Sequence, residues 1–348
     1  MDEGTIGRTL AEWGEKPFRA RQIAEAKRAG ARTWDDVTTL SKPLRQRLAA
    51  VGPLWSVTPD ERLTSRDGTV KWRLMLGDGR LVEAVLIAHA QGRRTLCVSS
   101  QVGCALACRF CATGSMGFGR DLDANEIVEQ GLIARHAAEQ DGARLSNVVF
   151  MGMGEPMQNL PAVLEACAAF HAEEGLGISA RSIAISTAGW VPGIEALSRH
   201  PLPVRLALSL HAADDQTRGR LMPINARYPI ANVLAACRRY CDRTGRRVFI
   251  EYLLLDGVND SAADARNLAA LLRDGRFHVN LIEYNPTDGG YVASPVGRRE
   301  TFVNALANAG IDASVRRSRG ADVDAACGQL AARGPSPGPS GPVGPRRT

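Results

Sequence analysis

The chain lacks any run of 18 or more apolar residues, so no membrane-spanning helix and no membrane partner are expected. Its N-terminus, Met1-Asp2-Glu3-Gly4, is acidic and carries no apolar stretch of the kind a secretory signal needs. No internal repeat of fixed period occurs, so a repeat array is not expected. Together these absences point to the cytoplasm. In that reducing compartment the eight cysteines are expected to be metal ligands, catalytic thiols or buried filler. A length of 348 residues excludes a small disulfide-stapled scaffold and implies about two domains. At 45% hydrophobic and 23% charged, the composition is that of an ordinary globular protein.

The net charge of +6 is unevenly placed. Residues 1–96 carry +5, residues 97–333 carry −1 and residues 334–348 carry +2. Basic ends admit two readings: an anionic partner such as RNA, or solubility alone. The last fifteen residues hold four Gly and five Pro with almost nothing apolar, the composition of a disordered tail.

The first fifty residues read as helical. Pro17 opens one helix that ends at Gly30, and Ser41-Lys42-Pro43 opens another running to about Val51. From Trp55 to Ala88 the pattern alternates. Thr69–Leu76 and Leu81–Ile87 flank Gly77-Asp78-Gly79 and read as a β-hairpin. Beyond Thr95, short apolar runs alternate with helical patterns. The runs are Thr95–Ser99, Asn147–Met151, Ser182–Ser186, Val204–Leu210, Val248–Leu255 and Val279–Tyr284; the helices lie near 123–139, 159–172, 192–199, 229–242 and 261–273. Six such strands imply an α/β fold with a parallel sheet, either open and doubly wound or a partial barrel. This divides the chain into an N-terminal helical, candidate RNA-binding domain (1–52), a hairpin extension (53–94), the α/β body (95–333) and the tail (334–348). Polar and reactive residues gather at the C-terminal ends of the strands, where α/β folds place their sites.

Cys104, Cys108 and Cys111 form C-x3-C-x2-C in the loop after the first of these strands. Three thiolates at that spacing can hold three irons of a 4Fe–4S cluster and leave the fourth iron open. The same ligands with a distant His could instead hold zinc. Phe110, just before the last of them, is placed to shield a cluster from water.

The spacing resembles the radical S-adenosylmethionine superfamily signature. The resemblance extends to one subfamily, through Thr95-Leu96-Cys97-Val98-Ser99-Ser100-Gln101-Val102-Gly103-Cys104, Val149-Phe150-Met151-Gly152-Met153-Gly154-Glu155-Pro156 and Leu208-Ser209-Leu210-His211. It continues in Met222-Pro223-Ile224-Asn225, Glu251–Asp260, Val315–Gly320 and Ala325-Ala326-Cys327-Gly328-Gln329-Leu330. These motifs resemble the RlmN/Cfr family of RNA adenine methyltransferases, nearer its RlmN branch, from Phe18 to Leu330. Ala188, Asp121 and Tyr284 depart from the usual pattern without removing a proposed ligand.

The resemblance implies a partial (β/α)6 barrel and a 4Fe–4S cluster on Cys104, Cys108 and Cys111. It implies S-adenosyl-L-methionine, two molecules per turnover, bound by Gly154, Glu155, Ser186, Ser209, Leu210, His211 and Asn285. Cys327 would carry a methyl group. A radical from a second cofactor molecule would abstract hydrogen from that S-methyl, and the resulting carbon would add to adenine. Cys97 would release the adduct through a transient disulfide, and Glu83 would accept the ring proton. Read without the resemblance, Glu83 is a solvent-facing residue of an alternating hairpin. Cys167, Cys237 and Cys241 match no motif and read as structural. The implied substrates are 23S rRNA and tRNA, methylated at adenine carbon 2, with flavodoxin or ferredoxin as electron donor. Methylation at carbon 8, as in the Cfr branch, is the near alternative. A zinc-stabilised, non-catalytic RNA-binding protein is the alternative of another class.

Overall fold

The computed structural model describes residues 3–316 and 318–331; the tail expected from residue 334 lies outside the described residues. The chain opens with three helices, α1 (Glu3–Glu12), α2 (Phe18–Arg28) and α3 (Lys42–Val51). Pro17 precedes α2 and Pro43 lies in the first turn of α3, where a missing N–H costs no hydrogen bond. Their apolar faces close on a core of their own, built from Ile6, Leu10, Ile23, Leu44 and Leu48 around Trp34, Val37 and Leu40.

Three antiparallel strands follow: β1 (Val57–Thr64), β2 (Val70–Leu76) and β3 (Leu81–Ala88). The expected hairpin is β2–β3. It is extended by β1, an edge strand whose residues between Thr58 and Arg62 are all exposed and include Pro59. Pro and charge on an edge strand discourage further pairing, and they also hide the period-two signal.

The body runs through β4 (Arg93–Cys97), β5 (Gln101–Gly103), α4 (Ala112–Ser115), β6 (Phe118–Asp121), α5 (Ala124–Gln140), β7 (Arg144–Phe150), α6 (Leu160–His171), β8 (Ile183–Thr187) and α7 (Val191–Leu197). It continues with β9 (Arg205–Ser209), α8 (Asp215–Leu221), α9 (Ile230–Thr244), β10 (Val248–Leu254), α10 (Ala262–Leu272), β11 (Phe277–Glu283), α11 (Val296–Asn308) and β12 (Ala313–Arg316). All six expected strands form, as β4, β7, β8, β9, β10 and β11, paired in parallel in that order. β12 adds a further parallel strand beside β11. At the other side β3 pairs antiparallel with β4, so the three-stranded meander prolongs the sheet. β5 and β6 pair separately. Val148, Ile183, Ile185, Leu206, Leu208, Val248, Ile250, Val279 and Leu281 fill the sheet's interior. Among the described residues no helix is long and apolar enough to cross a membrane.

One buried ion pair joins the N-terminal helices to the body. Lys27 of α2 reaches Glu129 of α5 at 2.5 Å, and both side chains are fully enclosed. The other oxygen of Glu129 accepts the N–H groups of Ser56 and Val57, at 2.8 and 2.7 Å, which fixes the entry into β1. The Lys27 ammonium also lies over the Trp55 ring. Removing one member of such a pair strands the other charge. Glu129→Gln should therefore cost about 3–5 kcal/mol, read as a lowered denaturation midpoint with unchanged slope. A loss under about 1 kcal/mol would mean the joint is held by packing alone.

Candidate functional site

The C-terminal ends of β7 to β11 open on a cavity of about 160 Å3. Its lining includes Cys104, Cys108, Cys111, Gly154, Glu155, Ser186, Ser209, His211 and Cys327, so most of the residues singled out from sequence meet in one place. Parallel strands make this so: residues far apart in the chain end at one sheet edge.

The three cysteines lie on a tightly wound loop. The Cys104 N–H donates to Gly117 O at 2.8 Å, Cys111 N–H to Cys108 O at 3.1 Å, and Arg109 N–H to Leu221 O at 2.9 Å. A Cβ on Gly114 would come within 2.7 Å of the Cys108 carbonyl, so only glycine lets this loop close. Burial pushes the Cys104 thiol up to about 12 and Cys108 well above its ordinary value. Such thiols ionise when a metal takes the place of the proton. Among the described residues no three His, Cys, Asp or Glu side chains converge as ligands of a single ion. The thiols, unpaired and facing one cavity, fit a cluster that offers each a separate iron. The edge of Phe110 packs on His211, with ring centres 4.8 Å apart.

Gly154 has φ +102°, and a Cβ there would lie 2.5 Å from Gln101 Cβ, so no other residue fits without displacing β5. The Gln101 side chain accepts the Glu155 N–H at 2.8 Å. The Glu155 carboxylate accepts the N–H groups of Met157 and Ala188, at 3.1 and 2.8 Å. Burial pushes its acid up to about 7 against those two bonds. With lone pairs still free it can receive an ammonium group, while tying the ends of β7 and β8 together.

His211 adopts a left-handed conformation, φ +57°, directly after β9. Asn259 holds it there by donating to its carbonyl at 2.7 Å. Its Nδ1 accepts the Leu253 N–H at 3.0 Å, which leaves the proton on Nε2 as a donor. Burial pulls its pKa down to about 3, so the ring is neutral at physiological pH. Leu210 and Asn285 are not among the residues that line the cavity. The Leu210 N–H bonds Glu251 O and its carbonyl accepts Arg218 Nε, so its backbone is committed within the fold. Asn285 is buried and donates to Glu283 O at 3.3 Å.

Cys327 reaches this cavity from the far end of the chain. Its segment is laced to the meander and the cysteine loop. Ser65 donates to Asp322, Gly320 N–H to Asp67 and Lys71 to the Asp324 carbonyl, at 2.6, 3.1 and 3.2 Å. Ala112 N–H donates to Gly328 O at 2.8 Å. The cavity wall and Glu251 hold the Cys327 thiol above its ordinary value. Cys97, buried at the end of β4, is close enough for Cys327 to add to the upward pressure on its own thiol, which burial dominates. Both thiols are unpaired.

Glu83 is not solvent-facing. β3 is an interior strand with both faces covered, and the Glu83 side chain is enclosed. It pairs with Lys71 at 3.4 Å and accepts the Ala331 N–H at 2.9 Å, so it too touches the Cys327 segment. The sequence reading passed over Glu251 and Tyr284 as lining residues. Cys167, Cys237 and Cys241 are buried within α6 and α9, away from the cavity lining.

The barrel with three cysteines at its mouth is that of a radical S-adenosylmethionine enzyme, and the Radical SAM superfamily model matches residues 98–269. A radical SAM methyltransferase from Sphaerobacter thermophilus superposes with a TM-score of 0.90 at 47% identity, over 96% of this chain and 98% of that one. A protein of Moorella thermoacetica named "Probable dual-specificity RNA methyltransferase RlmN" is 49% identical over 91% of this chain and 92% of its own. An Anaeromyxobacter dehalogenans "Dual-specificity RNA methyltransferase RlmN" is 44% identical over 100% and 93%. The chain belongs to the RlmN family of radical S-adenosylmethionine RNA methyltransferases. The family implies a 4Fe–4S cluster and S-adenosylmethionine. The non-catalytic zinc protein weighed above is thereby set aside.

Proposed function

We propose that the enzyme methylates carbon 2 of one adenosine in 23S rRNA and of the adenosine beside the anticodon in certain tRNAs. One observation carries this reading: Cys327 shares a cavity with the three loop cysteines, with Cys97 near enough to feel its charge and Glu83 bonded to its segment. Cys104, Cys108 and Cys111 would hold the cluster. Gly154, Glu155, Ser186, Ser209 and His211 would hold S-adenosylmethionine, with Leu210 and Asn285 supporting them from behind. When bound, cluster and cofactor supply a methyl group and, on reduction by a flavodoxin- or ferredoxin-like donor, a carbon-centred radical.

The protein's own part follows from its chemistry. Carbon 2 of adenine is electron-poor, so polar methyl transfer to it fails. Cys327 accepts a methyl group at sulfur, gives up one hydrogen atom from it, and joins that carbon to the base, whose odd electron would pass to a one-electron acceptor before release. Two cofactor molecules are consumed per turnover on this account. Glu83 takes the ring proton. Cys97 attacks the sulfur of Cys327, the S–C bond breaks and a disulfide forms. The basic helical domain, residues 1–52, would present the RNA, the hairpin extension 53–94 would bring Glu83 to the site, and 95–333 would form the catalytic body.

The test is anaerobic reconstitution with S-adenosylmethionine, reductant and a 23S rRNA fragment, followed by digestion and chromatography of the methyladenosine isomers. 2-Methyladenosine is expected. 8-Methyladenosine would place the enzyme with the Cfr branch, and no methyladenosine would overturn the reading.

A further inference from the structure

Across the barrel interior a polar row runs through successive strands at one level: Ser209, Glu251, Asn280 and Ser314 are register partners on β9, β10, β11 and β12. Ser209 continues it to Ser186 on β8 at 3.5 Å. Glu251 is the row's only carboxylate. It is 3% exposed and lines the cavity. Asn280 donates to its Oε1 at 2.8 Å and is itself held by Ser314 at 3.0 Å, which fixes the carboxylate's orientation. Its Oε2 is buried and has no hydrogen-bond partner among the described residues. Arg316 and His278 ease the charge, while burial raises the cost of carrying it. A buried carboxylate oxygen left without a donor is expensive, and the expense falls when a ligand brings an N–H or O–H.

Cys327 and Glu251 both line the cavity, near enough for the Glu251 charge to help raise the Cys327 thiol. On the proposed reading, the space beside them receives the target base. Carbon 2 and the 6-amino group of adenine flank the same ring nitrogen. A base that offers carbon 2 to Cys327 therefore turns its amino group to the neighbouring wall. We propose that Glu251 reads the target base by accepting a hydrogen bond from the 6-amino group of adenine at Oε2. Guanine and hypoxanthine place a carbonyl oxygen there, which a carboxylate repels. Selection thus combines a made bond with a built-in repulsion. The inference rests on the adenine methyltransferase reading above.

The test uses the holoenzyme and the RNA fragment it methylates, with the target adenosine replaced by purine riboside, which lacks the amino group, or by inosine, which carries the carbonyl. Both keep hydrogen at carbon 2. Binding is read by fluorescence anisotropy and methyl transfer by mass spectrometry. Wild-type enzyme should favour adenosine over purine riboside by at least about tenfold in kcat/KM, and over inosine by more. Glu251→Leu should bring adenosine and purine riboside to the same level. Glu251→Gln, nearly isosteric and able to donate to a carbonyl, should raise inosine relative to adenosine, and it covers the case in which the leucine variant fails to fold. A wild-type preference that survives in the variants overturns the proposal. So does a variant that weakens S-adenosylmethionine binding with base preference unchanged, since Oε2 would then serve the cofactor. A wild-type enzyme that leaves adenosine itself unmethylated removes the functional reading and this proposal with it.

Discussion

Cys327→Ala enzyme should bind RNA, hold its iron and melt at the wild-type temperature, yet yield no methyladenosine. The loss should be at least roughly 10^4-fold, as for removal of a covalent nucleophile. The fold has no reason to suffer. The segment is anchored by backbone and by other side chains: Gly328 O to the Ala112 N–H, Leu330 O to Thr113, Ala331 N–H to Glu83. The Cys327 side chain is exposed to the cavity and contributes little to packing. Truncating it removes one sulfur and leaves the cradle around Gly154, Glu155 and His211 untouched. Iron content and melting temperature serve as controls, and mass spectrometry of digested RNA gives the result. More than about a tenth of wild-type activity would mean that the base receives its methyl group without a cysteine carrier.

The scaffold around that thiol was legible because buried parallel strands announce themselves. Each is apolar on both faces, the first five are followed by a helical period, and all six appeared where expected. What stayed hidden has physical reasons. β1 is an edge strand with polar residues on both faces, so it shows no alternation. β12 has only four residues, and α8 has seven, too short for periodicity to show. Glu83 reads as solvent-facing when the hairpin is taken alone, whereas Lys71 and the Cys327 segment enclose it. Glu251 sits within an apolar strand, where one charge reads as an interruption. Its meaning comes from register with Ser209 and Asn280, which no single strand contains. Leu210 and Asn285 stand at the right strand ends but are turned into the fold rather than lining the cavity. Position at a strand end narrows the candidates; the hydrogen bonds of the following loop decide which ones face inward.

The same enclosure that hid Cys97 leads to the second large effect. Cys97→Ala enzyme should carry out the early chemistry and then stall with RNA covalently attached to Cys327. Burial holds the Cys97 thiol far above its ordinary value, with Cys327 adding to the effect, so at rest it is protonated and a poor nucleophile. It therefore does not compete with Cys327 for the methyl group. Release asks something different of it. On the proposed mechanism, the Cys97 sulfur bonds to the Cys327 sulfur, the bond from that sulfur to the methylene carbon breaks, and its electron pair goes to the carbon, which becomes a methyl group by taking a proton. Of the other thiols, Cys104, Cys108 and Cys111 would be committed to the cluster, and Cys167, Cys237 and Cys241 are buried in α6 and α9, away from the cavity lining. Without Cys97 the S–C bond persists. Multiple turnover should fall at least roughly 10^3-fold, while up to one RNA per protein is captured in a band that survives denaturing electrophoresis. Tryptic mass spectrometry should place the nucleotide on the peptide containing Cys327. Free methyladenosine produced at more than about a tenth of the wild-type rate, with no adduct, would show that release needs no second cysteine.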